Sequence, residues 1–417
     1  MGDSFVPAAQ NATGMLSSAR YRWYACSQAV SIAGTMMAST ALYWAALHVA
    51  HGSAAELAAL VAAQFLPMLL FGRRAGAIVV RHQATRVVIG TQSAQALGSL
   101  ALGLPLLAGW MPIWYLWVLS FAVGCVLTVD LPGRQVFMLE LVGPDDLRQG
   151  SSLYAAITGI AKIVGPGLAG IIIAGVGEAL VFFVDASSFL MVIAVLAWLA
   201  KSIDSNGGPE RAEADARGQL RWLLDLPRGV QLAALMAFLV GGFGIQFEVT
   251  NPLMATDVFH LGSFGFGLLG TLSAVGGIVG NFYSSRRADP SAREFLAWAA
   301  IFGGAEIIAG LMPVAWGYGA LMIVVGGAIQ LFAVSATIYV QKTAPEAQRG
   351  YALSAYNAGF MGFVPAGSFA VAGLAAVAGT RWALIVPGAA ILICAAGALS
   401  ASAGNRSLEW FSCLLHN

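Results

Sequence analysis

KSIDSNGGPERAEADARGQLRWLLDLPR, residues 201–228, is the longest polar stretch in a chain of 417 residues. Asn206-Gly207-Gly208-Pro209 breaks any helix, and the mixed charges from Glu210 to Arg217 keep the segment in water. Leu220 to Leu224 forms a short amphipathic piece suited to a membrane surface. On either side the character of the chain changes: it becomes a ladder of long apolar blocks, six before the stretch and six after it.

Hydrophobic residues make up 59% of the sequence and charged residues only 10%, whereas a soluble domain averages about a quarter charged. A membrane-spanning helix needs roughly 20 predominantly apolar residues. Twelve segments qualify: 21–47, 54–76, 85–108, 112–134, 149–175, 179–200, 230–256, 265–285, 293–313, 316–341, 350–377 and 381–403. Unbroken apolar runs exclude a closed β-barrel, whose strands alternate. The expected fold is therefore an all-α membrane protein of twelve transmembrane helices. Its parts are a tail (1–20), a six-helix bundle (21–200), a linker (201–228), a second bundle (229–403) and a tail (404–417).

All but two of the 21 Lys and Arg residues fall in alternate gaps of this ladder or in its tails. The exceptions are Arg381, in an opposite gap, and Lys162, inside a block. Cytoplasmic loops carry such an excess, which predicts both termini and the 201–228 linker on the cytoplasmic side of a cell membrane. The net charge of +1 then says nothing of nucleic acid, and none is expected as a partner. No basic-then-apolar leader is evident in residues 1–19, so the first span is expected to direct insertion. Four scattered cysteines make no CxxC pair, and the five histidines sit near segment ends or tails. Neither a metal site nor a cofactor is expected. No GxxxxGK[ST], HExxH or GxSxG occurs, which argues against a built-in ATPase and against an enzyme.

The halves echo each other. Pro144-Asp145-Asp146-Leu147-Arg148 precedes Leu153 and Pro166; about 200 residues later Pro345-Glu346-Ala347-Gln348-Arg349 precedes Leu353 and Pro365. Repeats of six helices in one orientation mark a large transporter class whose site lies between the halves near mid-membrane.

Four stretches carry a closer likeness. They are Leu66 to Gly72 with Ala75-Gly76-Ala77-Ile78-Val79-Val80-Arg81; Asp130-Leu131-Pro132-Gly133-Arg134-Gln135; Ile163-Val164-Gly165-Pro166-Gly167-Leu168-Ala169-Gly170; and Arg349-Gly350-Tyr351-Ala352-Leu353. On these the chain resembles the major facilitator superfamily, and within it the branch of enterobactin-type siderophore exporters. The resemblance implies that Gly76 lets helix ends approach while Arg81 latches the inner gate with an acid. Val80 and Ser285 stand where that acid is expected, so Arg81 is expected to turn to Asp130, with Arg134 one helical turn beyond it. The plainer alternative is that these arginines only obey the positive-inside rule. The third stretch resembles the antiporter motif of helix five, which accompanies export: a stripe of small residues with a bend at Pro166, closed by Gly170. Ordinary tight packing is the alternative.

Ionisable groups inside the membrane are the main site candidates, because each costs at least a few kcal/mol to bury. Lys162 lies about 21 Å along its helix from Arg148 at 1.5 Å per residue, near mid-membrane. It is expected to face the cavity and touch substrate or counter-ion; a structural ion pair is the alternative. Glu248, with Gln246 and Asn251, sits in the seventh segment, which the resemblance makes cavity-lining, and suits proton coupling. Glu306 is expected to be a packing group, and Asp185 a cap or anchor near the outer end of the sixth segment. Relatives in the branch often carry an acid after a glycine in helix one; here Thr35 follows Gly34, so coupling must sit elsewhere or be lost. Gln28, Gln64, Asn281, Tyr283, Gln330, Tyr356 and Asn357 are polar candidates for the cavity, or else interhelical glue.

The function expected is secondary active transport by alternating access: proton-coupled export of a siderophore, antibiotic or other small amphipathic molecule by a monomer. A solute importer of the same fold, and a non-transporting or lipid-handling membrane protein, are the alternatives.

Overall fold

A computed structural model describes residues 19–49, 52–200, 226–284, 290–345 and 348–403. The tails, the 201–225 part of the linker with its amphipathic piece, and Ser285 to Arg287 lie outside the described residues, as do the side chains of Val80 and Pro144 to Arg148.

With no water in a bilayer core, each backbone amide must find its partner within its own helix, so apolar blocks of this length fold as helices. Before the linker lie α1 (Ala19–Val49), α2 (Ala54–Arg81), α3 (Ala84–Leu107) and α6 (Glu178–Ala200). Between α3 and α6 runs one helical stretch, Ile113–Val176, carrying two spans, α4 (Ile113–Val142) and α5 (Leu153–Val176). The sequence predicted a gap here at 135–148. Tyr24 packs on Phe137 at 5.2 Å and Tyr21 donates to Gly150 O, while Leu153, Tyr154 and Ile157 join the same apolar cluster. Two neighbouring tyrosines thus meet residues about 20 Å apart on a straight helix, so the run bends.

The later helices are α7 (Arg228–Val258), α8 (Ser263–Ser284), α9 (Ala292–Leu311), α10 (Ala315–Thr343), α11 (Arg349–Gly362 continuing as Val364–Ala378) and α12 (Trp382–Ala403). Twelve spans are long and apolar enough to cross a membrane, and no strand occurs among the described residues. The turns after α1, α3, α5, α7 and α11 each contain a residue of positive φ: Gly52, Gly109, Gly177, His260 and Gly379. These are cation-poor gaps. At Gly177 (φ 104°) and Gly379 (φ 98°) one residue ends a helix, a conformation that glycine reaches without a Cβ clash.

The seventh segment departs from expectation. It is not one α-helix but Arg228–Leu239, a π turn Val240–Gly244, a short helix Phe247–Leu253 and a second π turn Met254–Val258. Gly241, Gly242 and Gly244 lower helix propensity in the first turn, and Pro252 withholds the N–H owed to the carbonyl of Glu248.

By packing, the chain divides into two compact units, Met1–Val49 with Ala63–Ala212, and Ala50–Ala62 with Glu213–Asn417. In the first, α1 packs on α5 and α6, and α3 on α4 and α6. In the second, α8 packs on α10, α9 on α10 and α12, and α7 on α11. The beginning of α2 belongs to this second unit, where Ser368 Oγ donates to Ala58 O at 3.3 Å. Glycines let backbones touch: a Cβ on Gly276 would overlap Ile323 O, one on Gly326 would overlap Ser273 O, and Gly303 and Gly388 face each other.

Candidate functional site

In the first unit a buried polar network joins α1, α3 and α4. Asp130 is 1% exposed. Its Oδ2 accepts from Arg134 Nε at 2.6 Å, and its Oδ1 from Thr91 Oγ1 at 2.5 Å and Gln92 Nε2 at 3.0 Å. Arg134 donates through a second nitrogen to Gln28 Oε1 at 2.8 Å. The guanidinium fork therefore holds an acid and an amide at once, and three donors satisfy the carboxylate. Gln28 thus completes a network; its Nε2 and the hydroxyl of Tyr24 are buried without a protein partner.

The latch anticipated between Arg81 and Asp130 is not made. Arg81 is exposed at the end of α2, and the donors to Asp130 are Arg134, Thr91 and Gln92. Arg134 wins because it reaches the acid within one helix, whereas Arg81 would have to leave water. Nor does Gly76 make a close helix contact: a Cβ there would meet nothing within 4 Å among the described residues. The tight approach of α2 falls higher, where Gly124 of α4 abuts Gln64 O. Gln64 itself accepts from Tyr43 OH at 2.7 Å, joining α1 to α2.

The small stripe of α5 is a packing seam. Ala161, Gly165, Ala169 and Gly170 are buried, and a Cβ on Gly165 would run into Met36 of α1. Pro166 is half-buried beside it. Lys162 follows this seam but points off it. It is exposed, and no hydrogen bond or ion pair joins it to the described residues.

A second buried acid lies in the same unit. Asp185 does not cap the end of α6; Glu178 occupies that turn, 3.9 Å from His48. Asp185 is 2% exposed, its Oδ2 accepts from Ser99 Oγ of α3 at 2.6 Å, and its Oδ1 has no partner. A Cβ added to Gly34 of α1 would stand 3.0 Å from that Oδ1. The sequence flagged Asp185 as a lone acid in an apolar block, but nothing in it showed which helices it meets.

In the second unit Gln246 sits at the break in α7. Its Nε2 donates to Gly242 O at 2.6 Å and Val364 O at 3.4 Å, and Oε1 is buried without a partner. A side-chain amide thus replaces backbone pairing lost at the break. Gly367 of α11 packs directly on Gly242 O. Glu248 is half-buried in the short helix beyond. Asn251 accepts from Tyr318 OH at 2.8 Å, with both residues buried. Gln330 donates to Asn281 at 2.9 Å, joining α10 to α8. Tyr283 is exposed, edge-on to Trp298; Tyr356 is buried, donates to Ala333 O and stacks on Phe360. Asn357 and Arg349 are exposed on α11. Glu306 of α9 is 1% exposed with Oε2 unpartnered.

Twelve spans long and apolar enough to cross a membrane, with ionisable groups buried inside them, fit the major facilitator fold. The chain belongs to the transmembrane secretion effector family, which residues 12–406 match. Family and fold are those of transporters, not enzymes. The chain is 27% identical over 361 residues to the multidrug efflux pump Tap of Mycolicibacterium fortuitum, covering 81% of this chain and 86% of that protein. It is 25% identical over 263 residues to the staphyloferrin A transporter of Staphylococcus aureus, covering 62% and 65%. It also matches the uncharacterized MFS-type transporter YfiS of Bacillus subtilis at 23% over 219 residues, covering 52% and 49%. The last two alignments span less than two thirds of those relatives. Among solved structures, a bacterial homologue of the lysosomal transporter Spinster superposes with a TM-score of 0.71 at 13% identity, covering 92% and 97%. A bacterial homologue of the iron transporter ferroportin gives 0.69 at 17%, covering 90% and 97%. At these identities the likeness is one of fold.

Proposed function

We propose that this protein exports a small amphipathic molecule bearing anionic or chelating oxygens, siderophore-like or drug-like, at the expense of a proton gradient. It works as a monomer in the cell membrane with both termini inside, by alternating access of its two six-helix bundles. Lys162 carries this reading. A cation in mid-span with no protein partner among the described residues is costly unless something else meets its charge. A substrate carboxylate, hydroxamate or phenolate would do so, with Glu248 as the notable acid of the second unit. The export direction is supported by the α5 seam at Gly165-Pro166 and by the efflux relative. Gly76, Arg81 and Arg349 are assigned to the inner gate, and Asn281, Tyr283, Gln330, Tyr356 and Asn357 to the substrate path.

The test is accumulation of a radiolabelled carboxylate siderophore in inside-out vesicles. Uptake that a protonophore abolishes supports coupled export. Uptake indifferent to the protonophore removes the coupling, and uptake into intact cells instead reverses the direction.

A further inference from the structure

We propose that Asp185 is a proton-binding site of the first unit, and that holding or releasing its proton is linked to how α6 packs on α1 at Gly34. This deepens the transport reading and rests on it for its purpose, though the site itself can be tested without transport.

The case begins with a contrast between two buried aspartates. Asp130 has a guanidinium and two further donors on its oxygens. Asp185 is as deeply enclosed, yet only neutral hydroxyls meet it: that of Ser99 on Oδ2 and that of Thr35 beside the carboxyl, with Oδ1 outside hydrogen-bond range of any partner among the described residues. An ionised carboxylate inside a bilayer, with neutral hydroxyls and no cation on it, lacks most of what would offset its desolvation. A carboxylic acid with its proton on Oδ1 fits the same space. Ser99 then still donates to the carbonyl-like Oδ2.

The surroundings are poor in charge from every side. From α1, Asp185 meets Gly34 and Thr35, whose hydroxyl lies beside the carboxyl while donating to Ser31 O. From α3 it meets Ser99, and on its own helix Ser188, whose hydroxyl is given to Asp185 O. The helical run carrying α4 and α5 also packs on α6, and its Arg134 is the charged group whose field reaches Asp185. That guanidinium is already joined to Asp130. Lys162, on the same run, is exposed rather than turned into this contact.

The bound species is a proton rather than a metal ion because the helices leave no cage. A Cβ on Gly34 would stand 2.8 Å from Ser188 Oγ and 3.0 Å from Asp185 Oδ1. The carboxyl therefore lies in near contact with the α1 backbone, where a sodium ion with its shell of oxygens has no room. Losing the proton requires water or a donor at Oδ1, which that contact excludes. Deprotonation and separation of α6 from α1 are thus one event: the proton passes from Oδ1 to an entering water, and re-protonation lets the contact close. Linkage requires the reverse as well, so a force that holds the contact shut retains the proton.

The experiment is infrared difference spectroscopy of the full-length protein in liposomes across a pH series, with and without aspartate labelled at its side-chain carbon. Expected is a carboxylic-acid C=O band that moves with the label, titrates with pH, persists in Asp185→Glu at a shifted frequency and is absent from Asp185→Asn. Where Asp185→Asn does not fold, labelled Asp185→Glu assigns the band, since the label then no longer moves it. A label-sensitive band unchanged at every pH would mean a permanently neutral packing group, and no such band at any pH would mean a buried carboxylate; either overturns the proposal. A sodium-dependent loss of the band would also overturn it. In inside-out vesicles supplied with a radiolabelled carboxylate siderophore, Asp185→Asn should cut gradient-driven accumulation at least tenfold. Should the wild-type protein move no siderophore while the band titrates, the transport reading has failed and the proton site stands.

Discussion

Asp130 and Arg134 stand one turn apart on α4, joined Nε to Oδ2 at 2.6 Å, and the arginine reaches on to Gln28 of α1 at 2.8 Å. The pair is thus both an intrahelical bridge and a tie between helices. Removing one partner of a buried pair typically costs about 3–5 kcal/mol, because the other charge is left alone. Arg134→Ala or Asp130→Ala is expected to lose that much stability. Asp130→Leu with Arg134→Met should lose less than the two single losses combined. Thermal unfolding in detergent measures all three, and additive losses would show that the two charges do not depend on each other.

Lys162 is expected to behave in the opposite way. Being exposed and unpartnered, it contributes no protein contact, so Lys162→Ala should leave the unfolding temperature within experimental scatter. Loss of one charge contact worth about 1.4 kcal/mol would lower affinity for an anionic substrate roughly tenfold. Scintillation binding of a radiolabelled ferric siderophore reads this, and unchanged affinity would exclude Lys162 from the substrate path.

Gly165 of α5 faces Met36 of α1 with no space for a side chain. Gly165→Val is expected to destabilise by about 1–3 kcal/mol through overpacking. Met36→Ala in the same chain should restore part of the loss, since it clears the obstructing atoms. Chemical denaturation of the single and double variants checks this; no recovery would place the strain elsewhere.

Gln246 supplies a donor to Gly242 O at the break in α7. Gln246→Leu removes it, and a buried carbonyl left without its bond costs about 1–3 kcal/mol. Gln246→Glu should be less harmful only at acid pH, where the protonated side chain can still donate. Equal unfolding temperatures for Gln246→Leu and the parent protein would mean that the carbonyl finds another donor.

A cysteine placed at Ser205, between the two sets of six spans, is expected to resist a membrane-impermeant maleimide in whole cells and to react once they are opened. Labelling of intact cells would invert the topology.

What the sequence disclosed depended on how many dimensions the question had. Hydropathy is a one-dimensional signal set by the solvent, so span limits came out well: 179–200 against Glu178–Ala200, and 316–341 against Ala315–Thr343. A relation within one helix was equally legible, since Asp130 and Arg134 are four residues apart on any α-helix. Relations between helices were not. Which face of α6 meets α1 is a matter of rotation about the helix axis, so Gly34 could not be matched with Asp185. Arg81 was assigned to Asp130 because the resemblance calls for an acid, and a nearer arginine took it. The uninterrupted apolar run of the seventh segment concealed its breaks, because glycines and one proline alter hydropathy little while they alter pairing greatly.

Where α8 meets α10, and α9 meets α12, main chain rests on main chain with no side chain between to slide or re-pack. Such pairs act as stiff girders. The breaks in the second unit lie instead in α7, at the wider coils Val240–Gly244 and Met254–Val258, and in α11 at Phe363. A bundle made of girders and jointed struts bends at the struts, and α7, with two joints, is the most divided of them.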